Sequence, residues 1–350
     1  MAKEAKSNYN VIGVMAGSSM DGLDVALMSF TKGPNWNFKI LRAKSFSYDQ
    51  PTYDLLAGAA DNGSKEQARI DHLFGEWIAR RLFEFGLDGA ELVAVHGHTV
   101  IHKPKEGISW QLGSGEVIAE RTDVTVISDF RTQDVNLGGQ GAPLVPIGDF
   151  QLFPDFDACL NLGGIANVSI RGKKMAWDIC SCNQVLNYLA QKLGKEFDEN
   201  GEIARSGLEN SAWLGRIESN KYYQQKPPKS LPNQFIEREL LDEINPHDGL
   251  KTYTEFISKL MVNEISKFLP SDSRILTTGG GAFNTFLMEV LNSNKKGLIF
   301  SVPDADIVEY KEAMVFGFLG MLKFRNEVNV LASVTGASRD TSSGVIHYRK

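Results

Sequence analysis

The sequence predicts an α/β protein in which one domain pattern occurs twice. Each half of the chain opens with a strand, a glycine turn and two more strands, and then continues with helices and buried-type strands. This mixture of elements is typical of layered α/β domains. The 33 glycines support the same view, because they cluster in turns beside apolar stretches, where backbone bends sharply or approaches a ligand. No residue-level repeat is visible, so the order of elements alone indicates a duplication.

The apolar pattern places these elements in order along both halves. In the first half it predicts strands at 11–16, 24–30, 37–46, 92–96 and 124–128, and a helix at 71–85. In the second half it predicts strands at 158–162, 166–170, 174–179, 274–278 and 298–303, and helices at 183–193, 252–269, 284–291 and 310–325. The Gly- and Pro-rich stretch 136–146 predicts a boundary between an N-terminal lobe, 1–137, and a C-terminal lobe, 138–350.

Charge and composition exclude several classes of protein. The net charge of −6 implies no basic face, so nucleic acid and anionic membrane are not expected partners. No apolar run approaches the roughly 20 residues of a membrane helix, and the first ten residues lack the apolar core of a signal peptide. Only three cysteines are present, which indicates no disulfide framework. We therefore expect a cytoplasmic protein.

A first candidate phosphate loop connects the first two strands. It comprises Gly17, Ser18, Ser19, Met20, Asp21, Gly22, Leu23 and Asp24. Backbone N–H groups and two serine hydroxyls in such a turn can surround a phosphate, and Asp21 or Asp24 could hold Mg²⁺ directly or through water. No Gly-Lys-Ser/Thr follows, so it is not a Walker loop. The alternative is an ordinary hairpin whose Asp and Gly only make the turn.

Two more glycine turns occupy the second half. Gly163 and Gly164 form a second strand–turn–strand hairpin, which we predict to bind phosphate as the first one does. Gly279, Gly280 and Gly281 join a strand to a helix, where a flat ring or a phosphate could lie on the backbone. We predict an adenosine-type loop there. For each turn, a tight connection without a ligand is the open alternative.

Polar residues after strands are candidates for chemistry. Asp178 follows an apolar run and could act as a general base, or it could only cap the next helix. Cys180 and Cys182 lack further ligands at zinc spacing, so we expect small buried residues. His96 and His98 could share a metal ion, although polar loop contacts are the favoured interpretation. Arg131 could clamp a substrate carboxylate or form a structural ion pair.

Taken together, the motifs resemble the anhydro-N-acetylmuramic acid kinase family. The resembling stretches run in the same order over nearly the whole chain: GVMAGSSMDGLDVAL from Gly13, VHGHTVIHKP, DFRTQDVNLGGQGAPLVP, NLGGIANVSI, PPKS at 227–230, TTGGGAFN, EAMVFGFL and VTGAS at 334–338. The resemblance implies duplicated ribonuclease-H-like, actin-like ATPase domains with a cleft between the lobes.

The resemblance also implies a reaction and roles for residues. The family uses ATP and Mg²⁺ to open the 1,6-anhydro ring with water and to phosphorylate O6, which gives N-acetylmuramic acid 6-phosphate in peptidoglycan recycling. The loop 17–24 would hold the ATP phosphates, Asp178 would activate the water and Glu312 would help position it. Thr99 and Arg131 would touch the sugar. The expected partner is a small amino sugar. A homodimer is a further possibility.

The chain departs from the family pattern at several positions. The family usually has SGTS where this chain has Ala16-Gly17-Ser18-Ser19, and the change from Thr to Ser18 keeps the hydroxyl group. His98 stands where Gln is frequent. The run Asp178-Ile179-Cys180-Ser181-Cys182-Asn183 replaces Asp-Thr-Gly-Pro-Gly-Asn, which predicts a changed backbone and more bulk beside Asp178. The alternatives are a kinase of another amino sugar, a non-catalytic nucleotide-binding protein, and a metal hydrolase that uses His96 and His98.

Overall fold

The computed structural model describes residues 6–17, 20, 22–231, 235–236, 238–293 and 296–349. The strands are β1 (Asn8–Ala16), β2 (Gly22–Lys32), β3 (Trp36–Ser47), β4 (Leu92–Val95), β5 (His98–Lys103), β6 (Ile108–Leu112), β7 (Thr125–Ser128), β8 (Ala158–Leu162), β9 (Ile165–Ile170), β10 (Met175–Ser181), β11 (Arg274–Thr278), β12 (Ile299–Ser301) and β13 (Val345–His347).

The helices complete the set of regular elements. They are α1 (Gln50–Ala57), α2 (Ser64–Phe85), α3 (Gly115–Thr122), α4 (Thr132–Asn136), α5 (Pro146–Leu152), α6 (Asn183–Gln191), α7 (Glu202–Ser206), α8 (Ser211–Glu218), α9 (Arg238–Asp242), α10 (Pro246–Ser266), α11 (Thr285–Asn292), α12 (Ala305–Phe324) and α13 (Ala332–Thr335). Among the described residues, none of these helices has the length and apolar character needed to cross a membrane.

The chain divides into two compact units. The first unit comprises Met1–Leu152 and Tyr310–Lys350, and the second comprises Phe153–Glu309. The sequence-based division at 137/138 differs from this, because it assigns 138–152 and 310–350 to the C-terminal lobe. The last segment belongs to the first unit because α12 packs on β1 and β13 pairs with β7.

Each unit contains a mixed sheet. Five strands of the first sheet follow the same order as the five strands of the second, and β13 is an additional edge strand of the first. The first has the order β13-β7-β4-β1-β2-β3 and the second the order β12-β11-β8-β9-β10. In both, three strands pair antiparallel as a meander, and two later strands continue parallel to the first strand of that meander. This is the ribonuclease-H-like arrangement, present twice. The predicted duplicated fold is confirmed, and a cleft between lobes stays a prediction.

In the first unit, α12 lies in direct contact with β1. A Cβ atom on Gly13 would come within 1.8 Å of the Ala313 carbonyl oxygen, and one on Gly317 within 2.3 Å of the Met28 side chain. Both glycines therefore permit an approach that a larger residue would block. This packing fixes the middle of α12, where Glu312 lies, relative to β1.

In the second unit, the unusual cysteines belong to the core. Cys180 and Cys182 are both fully buried, and they pack in one cluster with Trp177 and Ile179. Their bulk therefore enters the apolar interior. The changed backbone and the added bulk beside Asp178, relative to the family pattern, stay predictions.

Candidate functional site

The first candidate phosphate loop joins β1 to β2. Three of its predicted residues lie outside the described part of the chain: Ser18, Ser19 and Asp21. The Met20 N–H donates to the Gly17 carbonyl at 3.4 Å, and Met20 has a φ of 57°. A left-handed non-glycine residue is uncommon and is found at tight turns. His98 hydrogen-bonds the backbone of Gly17 and so links this loop to the start of β5.

The end of the same loop is fixed by close packing. A Cβ atom on Gly22 would lie 2.4 Å from the Phe46 carbonyl oxygen, so a side chain does not fit there. Leu23 is fully buried, which leaves only its backbone to meet a ligand. Asp24 accepts a hydrogen bond from the Ser45 hydroxyl at 2.6 Å, and this orients its carboxylate.

Glu312 lies on α12 among charged groups of the first unit. Its neighbour Lys311 forms a buried ion pair with Asp149 at 2.8 Å. Desolvation raises the pKa of the Glu312 carboxyl, and the charges of Asp24 and Asp149 act in the same direction, while Lys311 and Arg131 oppose them. The side chain still has solvent-accessible surface. A carboxyl group with a raised pKa beside other charges is typical of functional sites.

Arg131 is held by His96 and by the loop that follows it. The Arg131 Nε–H donates to His96 Nε2 at 3.0 Å, and an Nη1–H donates to the Gly141 carbonyl at 2.6 Å. The His96 Nδ1 lies 2.7 Å from the Gly97 carbonyl, so Nδ1 carries the proton. Both ring nitrogens are thereby engaged, which leaves His96 none for a metal ion. Burial lowers the pKa of Arg131 to about 10, so it stays charged at neutral pH.

The predicted sugar-binding residues Thr99 and Arg131 each lie next to a backbone irregularity of the first unit. Asp129, just before Arg131 in the chain, has a φ of 54°, a strained conformation that is frequent at ligand sites. Thr99 is half-buried on β5, next to a bulge in the β5–β6 hairpin, and follows His96 by three residues. Because Arg131 binds His96, the chain segments that carry Thr99 and Arg131 are neighbours.

Asp178 lies within β10 of the second unit. The strand continues to Ser181 because a bulge between Asp178 and Cys180 lets it pass that point, so the predicted strand end at 179 is wrong. Asp178 does not cap α6, whose N-cap residue is Cys182. Its Oδ2 accepts from the Leu231 N–H at 2.9 Å and from the Ser230 hydroxyl at 3.3 Å. In the described part of the chain, these donors leave Oδ1 available.

The environment of Asp178 suits proton transfer. The residue is half-buried, and desolvation raises the pKa of its carboxyl, while the hydrogen bonds from Leu231 and Ser230 oppose that rise. A carboxylate with a raised pKa is a stronger base than an exposed one. Among the described residues Oδ1 accepts no hydrogen bond, and this fits, together with the raised pKa, the prediction that Asp178 acts as a general base.

The two glycine turns of the second unit come together at the start of α6. The Gly163 carbonyl accepts from the Asn183 N–H at 3.1 Å, and the Asn183 side chain donates to the Leu162 carbonyl at 2.9 Å. A Cβ atom on Gly281 would lie 2.8 Å from the Leu162 side chain, and one on Gly279 would lie 2.8 Å from its carbonyl carbon. Residues 162–164, 183 and 279–281 therefore form one surface.

A cavity of 410 Å³ opens beside this surface. Its lining includes Gly280, Gly281 and Asn183, together with the exposed aromatic rings of Phe197 and Phe283. Cavities of roughly 300–1,000 Å³ with apolar walls and a few polar groups are typical ligand sites. The two rings give this cavity the character of a site for a flat group.

Sequence reasoning missed four residues of these sites. They are Phe197, Phe283, Ser230 and Leu231. Phe283 lies two residues after the glycine run and could have been found there, whereas Phe197 lies in a polar stretch without a motif. The PPKS stretch was quoted only for its resemblance, and no local signal connects Ser230 to Asp178, which is 52 residues away.

Comparison with known proteins identifies the family. A family model described as anhydro-N-acetylmuramic acid kinase matches residues 9–349. The protein of that name from Zymomonas mobilis is 30% identical, with 96% of this chain and 99% of the relative covered. The one from Synechocystis is 32% identical, with 96% and 98% covered. A solved dehydratase activator from Clostridium difficile aligns over 90% of this chain and 96% of its own, with a TM-score of 0.46 at 14% identity. The chain belongs to the anhydro-N-acetylmuramic acid kinase family.

Proposed function

We propose that this protein uses ATP and water to convert anhydro-N-acetylmuramic acid into N-acetylmuramic acid 6-phosphate. Family membership supports the substrate. The observation that carries the mechanism is the carboxylate of Asp178, which is half-buried, has a raised pKa and, as far as the described residues go, is held through Oδ2 alone. The departure after Asp178 is compatible with the same substrate, because both cysteines pack in the core.

The reaction breaks two bonds and forms two. The water oxygen attacks the anomeric carbon as the bond from that carbon to the bridging oxygen breaks, and the released O6 attacks the γ-phosphorus of ATP as ADP leaves. The water gives its proton to Oδ1 of Asp178. Neutral water is a poor nucleophile, and a positioned general base contributes about 10²–10⁴-fold in rate. Glu312, with its raised pKa, is the second carboxyl group and helps to orient the same water.

ATP binds through the glycine turns. The adenine lies in the 410 Å³ cavity against Phe197 and Phe283, and the ribose lies near Gly280 and Gly281. The turn at Gly163 and Gly164 and the loop 17–24 provide backbone donors for the phosphates.

Magnesium is part of this proposal. Among the described residues, no group of three His, Cys, Asp or Glu side chains forms a metal site. Proteins usually bind Mg²⁺ through one or two carboxylates plus substrate phosphates. Asp24 fits that need, because its carboxylate is oriented by Ser45 and its charge raises the pKa of Glu312. Bound there, Mg²⁺ would neutralise charge on the ATP phosphates.

Arg131 and Thr99 bind the sugar. Arg131 remains cationic and is oriented by His96, so its guanidinium can pair with the carboxylate of the substrate's lactyl group. The Thr99 hydroxyl can bind a ring substituent. The protein acts in the cytoplasm on this small molecule, and we expect no nucleic-acid partner; a homodimer is compatible with these roles.

The test is ADP release measured with a panel of amino sugars, including the anhydro sugar and free N-acetylmuramic acid. We expect ATP use to depend on the anhydro sugar and the product to carry phosphate on O6. Incubation in ¹⁸O-labelled water should place the label at the anomeric hydroxyl. Equal activity on free N-acetylmuramic acid would favour an ordinary sugar kinase, and no activity on any sugar would favour a non-catalytic nucleotide-binding protein.

A further inference from the structure

A buried ion pair lies behind Asp178 in the second unit. The side chains of Lys229 and Glu264 are each only 2% exposed, and Lys229 Nζ lies 3.7 Å from Glu264 Oε2. Lys229 Nζ also donates to the Tyr222 carbonyl at 3.4 Å and lies 4.7 Å from the centre of the Tyr222 ring. Burial of two charges carries a desolvation cost that a buried pair often fails to recover. The ion pair is therefore a weak source of stability.

The residues next to Lys229 are those that hold Asp178. The Lys229 carbonyl accepts from the Asp178 backbone N–H at 3.0 Å. Ser230 and Leu231 then donate to Asp178 Oδ2 at 3.3 and 2.9 Å. The Tyr222 hydroxyl donates to the Asp178 carbonyl at 2.7 Å. Every one of these donors lies on a residue that contacts Lys229 or follows it within two positions in the chain.

The segment 229–231 has no regular secondary structure of its own. It runs beside β10, which is the edge strand of its sheet. Its position against that edge therefore depends on side-chain anchors. Lys229 provides one, because its ammonium group is fixed between Glu264 of α10 and Tyr222.

We propose that the Lys229–Glu264 ion pair is a positioning element, which holds segment 229–231 against β10 so that Ser230 and Leu231 bind Asp178 Oδ2 and leave Oδ1 directed at the reacting water. The link from this geometry to catalysis rests on the proposed function of Asp178. The geometric part does not, since it concerns only which groups hold the carboxylate.

Two variants separate positioning from a direct charge effect. Lys229→Met removes a positive charge near Asp178, and Glu264→Gln removes a negative one. A charge effect acting through space would raise the pKa of Asp178 in the first variant and lower it in the second. Loss of the hydrogen bonds from segment 229–231 raises it in both, because those bonds stabilise the carboxylate. The other titratable groups that face this cluster are Cys180, Tyr222 and Lys267, and they are unchanged in both variants.

The readout is the carboxyl titration of Asp178, followed by NMR with ¹³C-labelled aspartate and assigned by its absence in Asp178→Asn. We expect the pKa of Asp178 to rise by about one unit in both variants, with kcat about tenfold lower at neutral pH and the KM for ATP unchanged. The matched control is Lys267→Met, which removes the exposed partner of Glu264 and should leave the titration unchanged.

Each outcome decides the proposal. Opposite shifts in the two variants, or no shift in either folded variant, would overturn it. If Lys229→Met does not fold, Glu264→Gln, which keeps the side-chain volume, decides by the direction of its own shift. If both titrations rise but Asp178→Asn keeps full activity, the positioning role stands and the proposed base fails. A fall in melting temperature alone does not count as support.

Discussion

Replacement of Asp178 by Asn tests the proposed base with the least change in shape. In the protein, Oδ2 of Asp178 accepts two hydrogen bonds from the segment 229–231. The amide oxygen of Asn can accept the same two bonds, and its NH₂ group then replaces Oδ1. The variant can hold a water molecule but cannot take its proton. The fold should be unaffected, since desolvation already disfavours the charged form of Asp178.

The expected loss is at least a hundredfold in kcat, which is the low end of the range for a general base and corresponds to about 2.7 kcal/mol of activation free energy. The assay is coupled ADP release with saturating ATP and anhydro sugar, and calorimetry should give unchanged affinities for both ligands. Asp155→Asn, an exposed aspartate of the same unit, is the control. A variant that keeps more than a tenth of the wild-type kcat would refute the reasoning.

The pH profile supplies a second part of the same prediction. Desolvation raises the pKa of Asp178 above the ordinary value of 3.8. A base acts when deprotonated, so kcat/KM should be full above the raised pKa and should fall as pH drops through it. The acidic limb should therefore lie above pH 3.8 in the wild type and be absent or displaced in Asp178→Asn. An acidic limb that is identical in both proteins would assign it to another group, such as Glu312, whose pKa is also raised.

Three further predictions concern other parts of the molecule. Phe283→Ala should raise the KM for ATP about threefold to tenfold through lost aromatic stacking, with the KM for sugar unchanged. The control is Phe324→Ala, which removes an exposed ring on α12. An equal effect in both variants would show that Phe283 is not part of the nucleotide site. Arg131→Lys should raise the KM for sugar about tenfold, because Lys keeps the charge but loses the planar fork; an unchanged KM would make Arg131 structural. Gly13→Ala should lower the free energy of unfolding by about 1–3 kcal/mol in denaturant titration, because its Cβ would collide with the Ala313 carbonyl. The control is Gly215→Ala on α8, whose Cβ would have no atom of the described residues within 4 Å and should not destabilise the protein. An unaffected Gly13 variant would contradict the packing described for α12.

Much of the sheet framework could be predicted from the sequence. The strands at 158–162 and 274–278 agree with β8 and β11 at both ends, because each is a short apolar run bounded by polar or glycine residues. The β5–β6 hairpin and β13 were not predicted. Their apolar residues alternate with His, Lys, Ser and Gln over only three to six positions, so the pattern is too short to separate from loop.

The candidate sites could be predicted only in part. The glycine turns were recognisable because glycine marks backbone that a side chain would obstruct, and Gly22, Gly279 and Gly281 fulfil that expectation. The support for Asp178 was not recognisable, since Ser230 and Leu231 are over 50 residues away and reach it only through folding. The boundary of the units was also hidden, because no local pattern shows that the chain after 309 returns to the first sheet.

The Cys180-Ser181-Cys182 run shows how a changed motif can leave the chemistry beside it intact. Both cysteines are fully buried, and burial raises the pKa of each thiol, to about 12 for Cys182, so neither is a thiolate at neutral pH. Ser181 offers its carbonyl to the Tyr253 hydroxyl at 2.9 Å in the same core. The residues of this run therefore form part of the packing between β10, α6 and α10. Asn183, which follows it, still binds the Leu162 carbonyl beside the glycine turns. The departure thus lies in the core packing of the second unit. Asp178 at one end of the run and Asn183 at the other make the contacts on which the proposed function rests.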